Sequence, residues 1–122
     1  HAKARADAAW SAAVRTGICE LADWHAKLPL RCGQVVQGCH GISRGHMGTR
    51  YLAENGFSGC DAVNAWAFHH PADWDRALRF ELWGEEKYAR LWAIADGFGK
   101  KGERIDYMAV IADLSGQKEE GR

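Results

Sequence analysis

The segment from Gly38 to Cys60, GCHGISRGHMGTRYLAENGFSGC, most constrains what this chain can fold into. It has little apolar periodicity, which is unusual in the middle of a folded chain. It contains a Cys-His pair, two arginines, an asparagine and a second cysteine. This density of potential ligands and acid–base groups predicts a functional site rather than plain scaffolding.

The sequence on either side of this segment is patterned for regular structure. Residues 1–16 are Ala-rich, with Trp10 and Val14 four positions apart and Gly17 as a stop, which predicts an N-terminal helix. QVVQ at 34–37 and GFSGC at 56–60 predict short strands, and DAVNAWAF at 61–68 predicts a helix with Asp61 as N-cap. Helical spacing continues through residues 70–116, first after Pro71, then in EEKYARLWAIADG and RIDYMAVIADLSG, and the tail 117–122 is expected to fray.

These patterns fit a single domain over residues 1–122 of the α+β class, mostly helical. The N-terminal helix would cover residues 1–16, a hairpin-plus-helix core 17–69, and a helical part 70–116. Sixteen basic and sixteen acidic residues cancel, so a nucleic-acid-binding face would have to be local. No apolar run approaches the length of a membrane span, so no membrane association is expected.

The four cysteines all lie in the first half of the chain. Two disulfides in a small secreted domain are one interpretation. The N-terminal stretch HAKARADAAW lacks the apolar core of a signal peptide, so reduced thiols or metal ligands are the preferred interpretation.

The ordered set CHGISRGHMGTRY, ENGFSGCDAVNAW, HHPADW and GEEKYARL resembles the HNH-type nucleases of tailed bacteriophages, including the recombination proteins called NinG or Rap. The resemblance covers about residues 15–96. His40 and Asn55 are fifteen positions apart (55 − 40), and Asn55 and Asn64 are nine apart (64 − 55), which is similar to the spacing in those families. The resemblance implies a small ββα-metal (HNH-like) centre flanked by helices.

The same resemblance implies catalytic roles for three residues of the central stretch and its helix. His40 matches the general base that activates a water for attack on phosphorus. Asn55 matches the residue that orients the loop, and Asn64 matches the final HNH position as a metal ligand. A divalent ion, Mg²⁺ or Zn²⁺, would be held by Asn64 together with Cys39 and either His70 or His69.

Basic residues near this site are candidate contacts for DNA. Arg44 and Arg50 are placed to reach phosphate oxygens, and the exposed pair Lys100 and Lys101 is a weaker candidate. DNA is therefore the expected partner, while the oligomeric state is left open.

The chain departs from the family pattern in its cysteine pairs. Ala22 and Val63 stand where the second cysteine of each Cys-x-x-Cys pair is expected. Three outcomes follow: a zinc site rebuilt from other side chains, a Cys19–Cys60 contact without metal, or a core that needs no metal. Because both positions differ together, we expect no zinc knot of the family's kind, but we expect Cys19 and Cys60 to approach each other. The ligands of a rebuilt site would be Cys19, Cys60, Cys32 and His25.

The leading functional hypothesis is a metal-dependent endonuclease that hydrolyses DNA phosphodiester bonds. The resemblance suggests phage recombination or branched-DNA processing in the cytoplasm of a bacterial host. The first alternative is a catalytically degenerate HNH-like module that binds DNA or protein, and the second is the small disulfide-bonded secreted domain.

Overall fold

The computed structural model describes the backbone of residues 1–120 and the side chains of residues 1–116. Within that part of the chain, seven α-helices surround one two-stranded antiparallel sheet, which confirms the predicted α+β, mostly helical class. The elements in chain order are α1 (Ala2–Val14), α2 (Ala22–His25), β1 (Val36–His40), α3 (Met47–Arg50), a 3₁₀ turn (Ala53–Asn55), β2 (Gly56–Cys60), α4 (Asp61–His69), α5 (Pro71–Ala77), a π-helical turn (Leu78–Leu82), α6 (Glu85–Gly97) and α7 (Tyr107–Glu120).

The sheet is a hairpin whose connection carries a short helix and a 3₁₀ turn. His40 pairs with Gly56 at the loop end, and Val36 pairs with Cys60 at the open end. Helix α4 follows β2 without a linker. The first strand begins at Val36, two residues later than the QVVQ segment predicted. It ends later too, because its pairing with β2 continues through the Cys-His pair.

Helix α1 lies directly on one face of the hairpin. A Cβ atom added at Gly38 would come within 2.9 Å of the Trp10 ring and of a Val14 methyl group, and one added at Gly56 within 2.6 Å of Val14. The two glycines thus allow close contact between helix and sheet. Helix α7 covers the outer side of α1, in a core formed by Ala6, Trp10, Val14, Tyr51 and Leu114.

The opposite face of the hairpin packs on the main core. Buried Cys39 and half-buried Phe57 face this side, since successive residues of a strand point to opposite faces. The buried members of this core are Leu21, Cys39, Cys60, Val63, Trp74 and Leu78. A third, smaller core joins Ile42 of the hairpin loop to Leu91 and Ala95 of α6.

Several predicted boundaries need correction. Helix α1 ends at Val14 instead of residue 16, and Cys60 rather than Asp61 is the N-cap of α4. The Asp61 carboxylate instead accepts a hydrogen bond from the Val35 N–H. Pro71 begins α5 as predicted, and Gly97 is the last residue of α6, one position before its C-cap.

The C-terminal helix differs from prediction at both ends. It begins at Tyr107, where the Asp106 carboxylate accepts the N–H of Ala109 at 3.0 Å. It continues to Glu120, so residues 117–120 of the tail that we expected to fray are helical, while residues 121 and 122 lie outside the described part. None of the helices in residues 1–120 combines the length and apolar character that a membrane crossing requires.

Candidate metal centre and candidate active site

Three cysteines and a histidine meet beside the open end of the hairpin. The ligand atoms of Cys19, His25, Cys32 and Cys60 all lie within 4.8 Å of one another. Nε2 of His25 is 3.7 Å from Sγ of Cys19 and 3.8 Å from Sγ of Cys60. A tetrahedral zinc ion places a sulfur and a nitrogen ligand about 3.5 Å apart. The four side chains could therefore hold a metal ion, and three cysteines with one histidine are a ligand set that zinc favours.

The backbone brings these ligands together from four separate segments. Cys19 and Glu20 lie alongside β2, because the Glu20 N–H donates to the Ser58 carbonyl at 2.8 Å and the Ser58 N–H donates to the Glu20 carboxylate at 2.7 Å. His25 is the last residue of α2, and Cys60 ends β2. Gly33 lets the Cys32 segment lie against the start of α4, where a Cβ would overlap the Asp61 side chain.

Hydrogen bonds within the cluster lower the pKa of the buried Cys60 thiol. Burial opposes ionisation of Cys60, but backbone hydrogen bonds from Gly33 and Val63 and hydrogen bonds from the Cys32 and Cys19 thiols lower its pKa. The pKa of Cys32 is raised to about 11 by desolvation and by hydrogen bonds with Cys60 and Cys19, although the residue as a whole is exposed. A bound cation would deprotonate all three thiols.

The cluster matches one of the three outcomes that the sequence left open. The changes at Ala22 and Val63 remove the family's zinc knot, whereas His25 and Cys32 complete the ligand set of the rebuilt site. Val63 is buried in the main core, so it contributes packing instead of a ligand. Cys19 and Cys60 do approach each other. All four cysteines are free thiols, so the disulfide-bonded alternative has no support in this structure.

A separate cleft of about 930 Å³ lies between α1, β1 and the α4–α5 pair. His40 contributes to its floor, and Asn64 and Phe68 to one wall. The cleft is also lined by Asp7, Trp10, Arg44, Arg50, His69 and Asp75.

His40 is held in a single orientation. Its Nε2 lies 3.0 Å from the Arg50 carbonyl oxygen, and since a carbonyl only accepts, Nε2 carries the proton. Its ring stacks on Trp10 with centroids 3.7 Å apart and planes 6° apart. Nδ1 of the neutral ring is therefore left as a proton acceptor.

The surroundings of His40 also keep it neutral. Burial lowers its pKa to about 4, and the positive charges of Arg50 and Arg44 act in the same direction. The hydrogen bond to the Arg50 carbonyl and the negative charge of Asp7 oppose this shift. At neutral pH the imidazole is unprotonated, which is the form that a general base requires.

Asn55 fastens the loop that follows His40. It is fully buried, its Oδ1 accepts the Ile42 N–H at 2.7 Å, and its Nδ2 donates to the carbonyls of Ile42 and Thr49 at 3.0 and 3.1 Å. The indole N–H of Trp74 fixes the same loop by donating to the Gly41 carbonyl at 2.8 Å. These hydrogen bonds together hold the loop in one conformation.

The predicted ligands of a catalytic ion are not brought together. Asn64 is exposed and lines the cleft, as does His69. Cys39 points to the opposite face of the strand, is 2% exposed, and has its pKa raised to about 12 by burial. His70 turns back on α4, where its Nδ1 meets the Trp66 carbonyl at 3.0 Å and its ring stacks on Trp66. Cys39 and His70 therefore lie outside the cleft.

The predicted DNA contacts are similarly divided. Arg44 is exposed at the cleft, whereas the guanidinium of Arg50 is paired with Asp7 at 2.9 Å and donates to the Arg44 carbonyl at 3.2 Å. Arg50 thus joins α1 to the hairpin loop. Lys100 and Lys101 lie in the exposed turn after α6 and do not line the cleft.

Sequence reasoning missed Trp10 and Asp7 as parts of the site. Both belong to α1, thirty or more positions before the residues that they contact, and no local motif indicates such a pairing.

No family model, curated protein or solved structure gave a significant match to this chain. The functional conclusion therefore depends on the two sites and on the resemblance in sequence motifs.

Proposed function

We propose that this protein is an HNH-type, metal-dependent endonuclease that hydrolyses phosphodiester bonds in DNA. The observation that carries the proposal is the setting of His40, which is neutral, fixed through Nε2, and lines a cleft that Asn64 also lines. His40 ends the first strand of the hairpin and Asn64 lies on the helix that follows the second, and this order supports an HNH-like centre.

In this proposal His40 Nδ1 removes a proton from a water that attacks phosphorus. The imidazolium that forms is stabilised by its Nε2–H bond to the Arg50 carbonyl, and Trp10 keeps the ring plane in place. Asn55 prevents the loop from shifting, and Arg44 offsets charge on the phosphate. A divalent ion bound near Asn64, when present, supplies further neutralisation of the phosphate and the leaving oxygen.

The cysteine–histidine cluster has a separate, structural role in the proposal. Three cysteines and one histidine fill four tetrahedral positions, which leaves none open for substrate. We therefore assign to the cluster a zinc ion that stabilises residues 15–35, where α2 is the sole regular element. We assign the hydrolysis to the cleft.

A second candidate function is a related module that binds DNA or protein without cutting it. One observation favours it: the cleft has no ready-made metal site. Among the described residues, the group of Cys19, His25, Cys32 and Cys60 is the one set of three or more His, Cys, Asp or Glu side chains spaced to hold a metal. The cleft itself offers Asn64 and His69, and an ion there would depend largely on water and substrate oxygens for its remaining ligands.

Cleavage assays separate the two functions. Protein purified without chelator is incubated with plasmid and oligonucleotide DNA in the presence of Mg²⁺ or Mn²⁺. The endonuclease proposal expects cleavage, and it expects His40→Ala to lower the rate by about 10²- to 10⁴-fold, because positioned general bases contribute that much. His70→Ala is the matched control, since its imidazole lies outside the cleft, and it is expected to retain activity.

Two results would contradict the endonuclease proposal. A parent protein that cuts no DNA with any ion would favour the binding module. Equal rates for the parent and His40→Ala would remove His40 from the mechanism. If the proposal holds, the resemblance to phage proteins extends it to recombination or branched-DNA processing in the bacterial cytoplasm.

A further inference from the structure

Phe68 is the most exposed of the large hydrophobic side chains among the described residues, at 80%. It lies on α4 four positions after Asn64, so the two side chains share one helix face, and both line the cleft. Single exposed apolar side chains are common on protein surfaces. This ring differs because it stands at the wall of a cleft whose floor holds His40.

The charges around the cleft leave one arginine, Arg44, unpaired among the described residues. Asp7 is paired with Arg50, and both carboxylate oxygens of Asp75 accept from the Tyr88 hydroxyl, at 2.7 and 2.8 Å. The guanidinium of Arg44 has no hydrogen-bond or ion-pair partner within residues 1–116, and its charge acts on His40. The cleft thus combines an available cation with an available aromatic face.

The size of the cleft limits what can use both features at once. A volume of about 930 Å³ is at the upper end of the range for small-molecule sites, and it suits one or two nucleotides. The bases of a duplex are stacked on each other, so they offer no free face to a side chain unless they are first unstacked. An unpaired nucleotide offers a base face and a phosphate together.

We propose that the cleft binds single-stranded DNA, with Phe68 stacked on an unpaired base and Arg44 in contact with the adjacent phosphate. The proposal deepens the endonuclease assignment by naming its substrate class, and it rests on that assignment only for the position of the scissile bond.

Binding is measured without added divalent ion, by titrating protein into a single-stranded oligodeoxynucleotide that contains the fluorescent base 2-aminopurine. We expect quenching on binding, and we expect Phe68→Ala to weaken binding about 5- to 150-fold, in line with the contribution of one base–aromatic stack. Phe68→Trp is expected to retain the binding and the quenching of the parent. Thermal unfolding of each variant checks that the fold is retained.

Phe80→Ala is the matched control. Phe80 is 60% exposed, lies under the guanidinium of Arg79 at 4.9 Å, and does not line the cleft. We expect its removal to change the binding constant by less than about twofold, since it contacts no part of the proposed site.

Three results would overturn the inference: unchanged binding by Phe68→Ala, full binding and quenching by Phe68→Leu, or a duplex of the same sequence that competes as well as the single strand. If the protein cleaves DNA but Phe68→Ala binds single-stranded DNA as the parent does, this inference is wrong and the endonuclease assignment stands. If Phe68→Ala weakens binding in a protein that never cleaves DNA, the inference stands and the endonuclease assignment is wrong.

Discussion

At the scale of single residues, Asn55 holds more of the site together than its polar character suggests. Its side chain makes three buried hydrogen bonds to the hairpin loop. Asn55→Ala would leave those backbone groups unpaired, so we expect the free energy of unfolding to fall by about 3 kcal/mol in urea titrations.

The control for that change is Asn64→Ala. Asn64 is exposed, and within the described residues its side chain has no hydrogen-bond partner, so its removal should alter stability by no more than about 0.5 kcal/mol. Equal losses for the two variants would contradict the role given to Asn55.

His40 makes stability depend on pH in a defined window. Its pKa is about 4 in the folded protein, against 6.5 for the free side chain. Between those values the unfolded state binds more protons than the folded state, so stability is full above about pH 6.5 and declines as pH falls towards 4. Allowing for partial solvent exposure, we expect a loss of about 2 kcal/mol.

The measurement compares the parent with His40→Gln in urea unfolding near neutral pH and near the lower limit of the window. The variant cannot titrate at this position, so the difference between the two proteins should shrink as pH falls. Protonation of the metal ligands affects both proteins alike. A difference that stays constant with pH would show that the His40 pKa is not depressed.

Residue spacing predicted part of the candidate site. The resemblance put His40 and Asn55 in one hairpin-plus-helix centre, and the hairpin register places them near each other, since His40 pairs with Gly56. Cys39 could not be placed from spacing alone, since adjacency in sequence means opposite faces on a strand. Arg50 was expected at phosphate, but its pairing with Asp7 depends on how α1 docks, which local sequence does not specify.

At the scale of elements, close contact between α1 and the hairpin depends on glycine. Gly56 has extended backbone angles that any residue can adopt, so Gly56→Ala tests space alone. The added methyl group would meet Val14 at 2.6 Å and Trp10 at 2.7 Å. We expect a loss of about 1–3 kcal/mol in the free energy of unfolding, because neither the ring nor the branched side chain can move away easily.

Gly116→Ala provides the contrasting case. Gly116 lies within α7, and a Cβ there would meet nothing within 4 Å. The same substitution should therefore stabilise the protein by up to about 1 kcal/mol through helix propensity. Destabilisation at both positions would mean that the effect at Gly56 is not steric.

The longer helices and both strands were predictable, and the shortest helices were not. Helices α1, α4, α6 and α7 and both strands follow from apolar spacing and from Gly and Pro punctuation. Helices α2 and α3 have four residues each, too few for a periodic signal. The π-helical turn, in which the Trp83 N–H donates to the Leu78 carbonyl, has no sequence signature of its own.

At the scale of the whole molecule, an ion held by Cys19, His25, Cys32 and Cys60 would tie the least regular segment to the sheet. We expect one zinc per chain by metal analysis, and we expect chelation to lower the midpoint of thermal unfolding by about 10 °C or more, since the ion binds the folded state alone. Cys60→Ala should abolish zinc binding.

Cys39→Ala is the control for that experiment, because Cys39 is a buried cysteine close to the cluster that is not one of its four ligands. It should lose some stability yet keep a full equivalent of zinc. Zinc loss in the Cys39 variant, or zinc retention in the Cys60 variant, would show that the ligand set is wrong.

The rebuilt ligand set also shows where sequence reasoning stops. All four residues were candidates, but choosing between a rebuilt site and no site required knowing that the Cys32 segment returns to the start of α4. That return leaves no room for a side chain at Gly33, which lies against Asp61. The position of Cys19 depends in turn on the pairing of Glu20 with Ser58, 38 positions further along the chain (58 − 20).

The packing of α1 against α7 has a consequence for the order of folding. These helices are separated by nearly the whole chain, so a ribosome releases α1 long before the surface that covers it exists. Until then the core that holds Trp10 is incomplete, and Trp10 cannot hold the His40 ring by stacking. We expect a ribosome-arrested chain ending before α7 to show rapid amide exchange in α1, and a full-length chain to show protection there.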